Sequence, residues 1–169
     1  IPHKTEAGAV RLAIPDLPGL KQAAREVLSS ARKHNAGARV DGVLIQEMAS
    51  GLEIIAGAVN DATFGPTVAL GLGGIFTEVL EDVTHGFAPF DAETAREMIA
   101  EIRGAALLQG YRGRPPLDIA ALADTLARLS LLAADHADRI AEIDINPLFV
   151  RESGVVAADA LIVLKTAKS

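Results

Sequence analysis

Near the C-terminus two apolar, β-branched runs flank a short polar connection. The first is Glu142-Ile143-Asp144-Ile145-Asn146-Pro147-Leu148-Phe149-Val150, the connection Arg151-Glu152-Ser153-Gly154, and the second Val155-Val156-Ala157-Ala158-Asp159-Ala160-Leu161-Ile162-Val163-Leu164. This pattern predicts a β-hairpin. Strand side chains alternate between two faces, so Glu142, Asp144 and Asn146 share one face while Ile143 and Ile145 bury the other. A four-residue connection pairs Val150 with Val155 and sets Asn146 opposite Asp159. Facing Cβ atoms then lie about 4.5–5.5 Å apart, close enough for two oxygens to share one hard cation. Mg²⁺ typically takes one or two protein oxygens together with phosphates and water. A solvated strand face fits the same alternation, and spacing alone leaves both readings open.

The chain has 169 residues, enough for one domain or two small lobes. Half are hydrophobic but only 4% are aromatic, so the core must be built of Ala, Leu, Ile and Val. A net charge of −6, with no basic stripe carrying interleaved aromatics, argues against a nucleic-acid partner. With no Cys there is no disulfide, thiolate zinc site or cysteine nucleophile. No apolar run approaches 18 residues and no signal peptide is visible, so a cytoplasmic protein with no membrane partner is expected. The start at Ile1-Pro2-His3, without Met, suggests excision from a longer chain.

Along the chain the expected order is β-α-β-β-β-β-β-α-α-β-β. Val10–Ile14 is a short strand, and Leu20 to about Lys33 a helix closed by Gly37. Val40–Met48, Leu52–Val59, Thr67–Leu72, Thr77–Leu80 and Val83–Phe87 are closely spaced strands, which suggests an antiparallel sheet. Asp91 caps a helix to about Arg103. Asp118 to about Asp135 is the longest helical pattern, with Leu117, Ala121, Leu122, Leu126, Leu129 and Leu132 as its apolar stripe. A strand-rich middle with flanking helices is α+β.

Glycines 71, 73 and 74 lack the Lys-Ser/Thr of a P-loop and precede a strand, so they make either a bend or a close backbone approach to phosphate. His3 lies in a polar loop. Glu47 and Glu53 flank the Ala49–Gly51 turn, as strand-end charges or as parts of a nucleotide site. No Ser/His/Asp or HxxxH spacing supports hydrolase or zinc chemistry.

Together these stretches resemble the ATP-grasp domain of the ADP-forming (NDP-forming) acyl-CoA synthetases, relatives of succinyl-CoA synthetase. The resemblance is carried by His3-Lys4-Thr5-Glu6 with Gly8 and Val10-Arg11-Leu12, by Val43-Leu44-Ile45-Gln46-Glu47-Met48, and by Phe64-Gly65-Pro66. It continues through Gly71-Leu72-Gly73-Gly74-Ile75-Phe76 with Asp82-Val83, Ala88-Pro89, Gly110-Tyr111-Arg112-Gly113 and Glu142-Ile143-Asp144-Ile145-Asn146-Pro147. These motifs span nearly the whole chain, in the family's order.

The resemblance implies an incomplete ATP-grasp fold lacking its N-terminal part. Residues 1–47 would finish the N-terminal lobe and 48–169 form the C-terminal lobe. It implies ATP/ADP and Mg²⁺ as ligands, with Asn146 and Asp159 as metal ligands and Asp144 as their neighbour. Glu47 and Met48 become the adenine hinge and Glu53 the ribose contact. Gly73 and Gly74 form the phosphate loop, and His3 is a catalytic phosphoryl relay. The implied function is that of an acid–CoA ligase: acyl-CoA, ADP and phosphate interconvert with acid, CoA and ATP through a phosphohistidine. CoA-binding and CoA-ligase domains or a subunit are the partners, and a homo-oligomer is allowed. Non-catalytic versions, regulatory as in fusions to protein acyltransferases, or purely structural, are the alternatives. The family often carries Arg near Gly86 and Leu161, and a second Gly at Ala9. If those arginines contact phosphate, two charge-assisted contacts are missing here. The family's upstream phosphate-binding Lys lies outside this chain, so the fragment alone is expected to bind ATP weakly or not at all.

Overall fold

The computed structural model describes residues 7–37, 39–74 and 82–166. It divides into two compact units, Ile1–Met48 and Ala49–Ser169. The strand expected at Thr77–Leu80 lies outside the described residues.

Among the described residues of the first unit the one regular element is helix α1, Leu17–His34. It starts three residues before the apolar periodicity does. The Asp16 carboxylate accepts the Gly19 N–H at 2.7 Å, and Pro18 occupies the first turn, where its missing N–H costs nothing. Asn35, not Gly37, caps the C-terminus, and its side chain accepts the Gly37 N–H. Ala23 and Ala31 form the buried stripe, and Arg11 pairs with Glu26 at 3.0 Å. The strands expected at Val10–Ile14 and Val40–Met48 form no ladder among the described residues. A strand exists only through its partner's hydrogen bonds, and an alternating pattern cannot supply one.

The second unit is a six-stranded antiparallel sheet with helices on one face. Its elements are β1 Leu52–Asp61, β2 Gly65–Leu72, β3 Val83–Phe87, α2 Ala92–Glu101, α3 Ala105–Leu108, α4 Ile119–Asp135, β4 Ile140–Val150, β5 Val155–Ala157 and β6 Ala160–Leu164. Strand order is β3-β2-β1-β4-β5, and β6 continues the β5 edge alongside β4. The core takes alternate residues of the central strands: Ile54, Ala56 and Ala58 of β1, Val68, Leu70 and Leu72 of β2, Leu148 and Val150 of β4. These pack against Met98 and Ile99 of α2 and Leu122, Leu126 and Leu129 of α4. The α4 stripe is rotated from the expected one: Ala123, Ser130 and Ala133 are buried, whereas Leu132 is exposed.

Two acidic side chains pin this layer together. Buried Asp82 accepts the N–H groups of Arg103 and Gly104, both at 2.8 Å, fixing the link between α2 and α3. Asp118 caps α4 through the Ala121 N–H, and its second oxygen accepts the Gly154 N–H at 2.8 Å. Its own N–H donates to the Arg151 carbonyl. The β4–β5 turn is thereby fastened to the start of α4. Ser130 does the same for the Ala88–Phe90 segment, accepting the Phe90 N–H at 3.1 Å.

Candidate functional site

The sheet face turned away from α2 and α4 carries most of the candidate site residues of the second unit. Ladder registers order it into rows. The first holds Gly73, Glu53, Phe149 and Val156, and the second Val83, Gly71, Ile55, Asn146 and Asp159. The third holds His85, Ala69, Gly57, Asp144 and Leu161, and the fourth Phe87, Thr67, Val59, Glu142 and Val163. Strands lie about 4.8 Å apart and rows about 6.8 Å apart.

The hairpin register is the expected one. Val150 pairs with Val155, and the Asn146 N–H donates to the Asp159 carbonyl at 3.2 Å. On its other side Asn146 stands at a β-bulge. Ile54 pairs with Leu148 and Ala56 with Ile145, so two residues of β4, Asn146 and Pro147, oppose Ile55 alone. A bulge bends the strand and re-aims a side chain, and the ladder on the far side breaks between β5 and β6 at the same level. Asn146 and Asp159 thus share a local departure from regular pleating. Asp144 sits one row further on, opposite Leu161.

Glu53 and the glycine loop, separate candidates in the sequence, are neighbours in space. The Gly73 N–H donates to the Glu53 carbonyl at 2.8 Å. A Cβ at Gly74 would stand 2.8 Å from Glu53 Oε2, and one at Gly73 3.0 Å from Glu53 Cβ. Gly74 has φ +63°, in the left-handed region that glycine tolerates. The glycines therefore make room for the Glu53 carboxylate. Glu47 and Met48 are exposed at the end of the first unit. His3 lies outside the described residues.

Charge on this face is one-sided. The six strands contain no Lys or Arg. The rows carry the carboxylates of Glu53, Glu142, Asp144 and Asp159 with His85 as the sole basic side chain. A phosphate chain laid here would meet net repulsion unless a cation came with it. Asn146 and Asp159 offer an amide and a carboxylate oxygen at one cross-strand position, the hard donors that suit Mg²⁺. Among the described residues no three carboxylate or imidazole side chains converge as a metal cage.

The matched family is the ATP-grasp domain, over residues 1–164. Acetate–CoA ligase (ADP-forming) I subunit beta of Pyrococcus furiosus is 42% identical over 163 residues, 96% of this chain and 70% of the relative. The chain belongs to the ATP-grasp domains of the ADP-forming acyl-CoA synthetases. In the acetate–CoA ligase (ADP-forming) I of Archaeoglobus fulgidus, 40% identical, the matched stretch is 24% of the length. The dinucleotide-forming acetyl-coenzyme A synthetase 1 of Ca. Korarchaeum cryptofilum, bound to coenzyme A and Ca-AMPCP, superposes with TM-score 0.92 at 36% identity. That alignment covers 98% of this chain and 72% of that one. A second structure of it, with Mg-AMPPCP and a phosphohistidine segment pointing towards the nucleotide site, gives TM-score 0.83 at 35% identity.

Of the two positions near which the resemblance led to an expected Arg, Gly86 and Leu161, one is on this face. Gly86 points to the helices: a Cβ there would lie 2.6 Å from Met98 Sδ and 3.1 Å from Phe90 Cε1. Leu161 is on the open face, directly opposite Asp144. Sequence reading also gave Asp82 and Asp118 no separate role. Asp118 stands where a loop meets α4 and Asp82 just before β3, but the Arg103 and Gly104 N–H groups that Asp82 accepts, and the Gly154 N–H that Asp118 accepts, come from remote segments. Among the described residues no helix is long and apolar enough to cross a membrane.

Proposed function

We propose that the open face of the second unit holds Mg·ATP for an ADP-forming acid–CoA ligase. In that reaction acyl-CoA, ADP and phosphate interconvert with acid, CoA and ATP, and a phosphoryl group passes between the nucleotide and a histidine of a partner domain or subunit. The observation that carries the reading is the Asn146–Asp159 pair, set by the backbone bond at 3.2 Å on a face whose strands have no Lys or Arg.

In this reading Asn146 and Asp159 hold the metal ion, and Asp144 stands by one row away. The ion, when bound, neutralises charge on an in-line phosphoryl group. Glu53 takes the ribose hydroxyls. Gly73 and Gly74 keep the floor beside it free of side chains, and Glu47 and Met48 meet the adenine. His3 relays the phosphoryl group. The 1–47 and 48–169 parts act as the remainder of one ATP-grasp lobe and as the other lobe. CoA-binding and CoA-ligase domains, fused or as a separate subunit, supply the acyl and CoA sites.

The test is Mg·ATP binding together with ³²P transfer in the full-length protein, repeated with Asn146→Ala and Asp159→Ala. Both substitutions should lose nucleotide affinity and phosphorylation. Unchanged binding in both would remove the hairpin from the metal site.

A further inference from the structure

Among the described residues one buried side-chain donor has no partner, the Nε of Arg151. A guanidinium donates hydrogen bonds and accepts none, and a donor kept from water without an acceptor costs stability. The backbone that carries this side chain is held on both sides. The Arg151 N–H donates to the Gly154 carbonyl at 3.1 Å, which extends the β4–β5 ladder one residue beyond the Val150–Val155 pair. The Arg151 carbonyl accepts the Asp118 N–H at 2.8 Å. The Asp118 carboxylate itself is engaged elsewhere, since its two oxygens accept the Ala121 and Gly154 N–H groups.

Alternation sets the direction of the side chain. Val150 is fully buried in the core beneath the helices, so Arg151, the next residue of the ladder, is turned to the open face with Phe149. It stands one row beyond Phe149 and Glu53. Its flanking positions are Gly154 on one side and, on the other, Gly51, which precedes the Leu52 paired with Val150. Neither supplies a side chain. Arg151 is thus a cation at the end of a face whose strands carry no Lys or Arg. Among the described residues no ion pair joins it to Glu53.

We propose that Arg151 is a nucleoside-binding residue, whose guanidinium takes an acceptor atom of the nucleoside, a ring nitrogen of the purine or the ribose ring oxygen, while Glu53 takes the ribose hydroxyls. This rests on the Mg·ATP reading of the open face and names a further contact within it. The two side chains are complementary in kind. A carboxylate only accepts and a guanidinium only donates, so together they fit a ligand with hydroxyl donors and acceptor atoms side by side, as in a nucleoside. Asn146 and Asp159 lie two rows from Arg151, roughly 14 Å along the strand. A nucleotide whose phosphates are held at that row extends its nucleoside half, not its phosphates, toward Arg151. The unpaired Nε is then a local cost that the ligand removes.

Arg151→Met keeps an aliphatic stem and removes the donors. Titration calorimetry of the full-length protein should show Mg·ATP and Mg·ADP each weakened by about tenfold. Mg·tripolyphosphate, which has no nucleoside, should bind as in the parent. The melting temperature without ligand should be unchanged or higher, because an unpaired donor has been removed. Asn146→Ala, measured in parallel, should weaken all three ligands. A parent protein that binds none of them would remove the nucleotide reading and this proposal with it. Nucleotide binding that falls in Asn146→Ala but is untouched by Arg151→Met would overturn the Arg151 contact alone. An equal loss of tripolyphosphate in Arg151→Met, or a lowered melting temperature, would overturn it too, by showing a phosphate contact or a structural role.

Discussion

The Asn146 N–H donates to the Asp159 carbonyl at 3.2 Å, while on the opposite side Asn146 and Pro147 together oppose Ile55. One residue is therefore held by a cross-strand bond on one flank and a bulge on the other. Its side chain is placed by backbone geometry on two strands, which is the rigidity a metal ligand requires.

Removing either oxygen should weaken Mg·ATP binding by at least about tenfold, equivalent to about 1.4 kcal/mol. Asp144→Ala, one row away, should cost less. Isothermal titration of the full-length protein with ATP, with and without Mg²⁺, measures both. Unfolding temperatures should barely move, because all three side chains lie off the buried face.

Gly74→Ala should destabilise the protein by roughly 1–2 kcal/mol from the left-handed backbone alone, and further from the approach of its Cβ to Glu53 Oε2. In a Glu53→Ala background the second contribution should vanish. A double-mutant cycle read by chemical denaturation separates the two. Additive effects would show that the carboxylate does not depend on the glycine.

Gly86→Arg and Leu161→Arg should behave oppositely, although the family resemblance leads to an expected Arg near both. At position 86 the side chain enters the space of Met98 and Phe90, and overpacking of that kind costs about 1–3 kcal/mol. At position 161 it lies on the open face beside Asp144 and should be tolerated. Thermal melts of the two variants decide this, and equal melting temperatures would contradict the assignment of faces.

Asp118 makes stability depend on pH. The N–H groups of Ala121 and Gly154 hold its carboxyl below the usual aspartate range, and those of Thr94 and Glu93 do the same for Asp91. On acidification the unfolded chain therefore binds protons first. The stabilisation is complete at neutral pH and is lost as pH falls from the ordinary aspartate range through the lower folded value. Asp118→Asn should lower the melting temperature near neutrality and converge with the parent chain in acid.

Much of the second unit was legible in the sequence because its signals are local. The hairpin register followed from the four-residue turn, β1 and β2 from short, closely spaced runs, α2 from its Asp91 cap and α4 from its apolar stripe. The first unit was less legible for an equally physical reason. Val10–Ile14 and Val40–Met48 have the composition of strands, but a ladder needs two chains of hydrogen-bonding groups and the pattern describes one. The rotation of α4 likewise depends on what it packs against.

For the site the division is similar. The sequence by itself placed Asn146 opposite Asp159, since strand alternation and turn length are properties of adjacent residues. Only the tertiary structure brought Glu53 onto Gly74, turned Gly86 toward Met98 and Leu161 toward Asp144, and left β6 bare on both faces. Those relationships join segments tens of residues apart, and their side depends on which face of the sheet the helices cover. That choice is made by burial of the whole apolar surface, which no single stretch of the chain encodes.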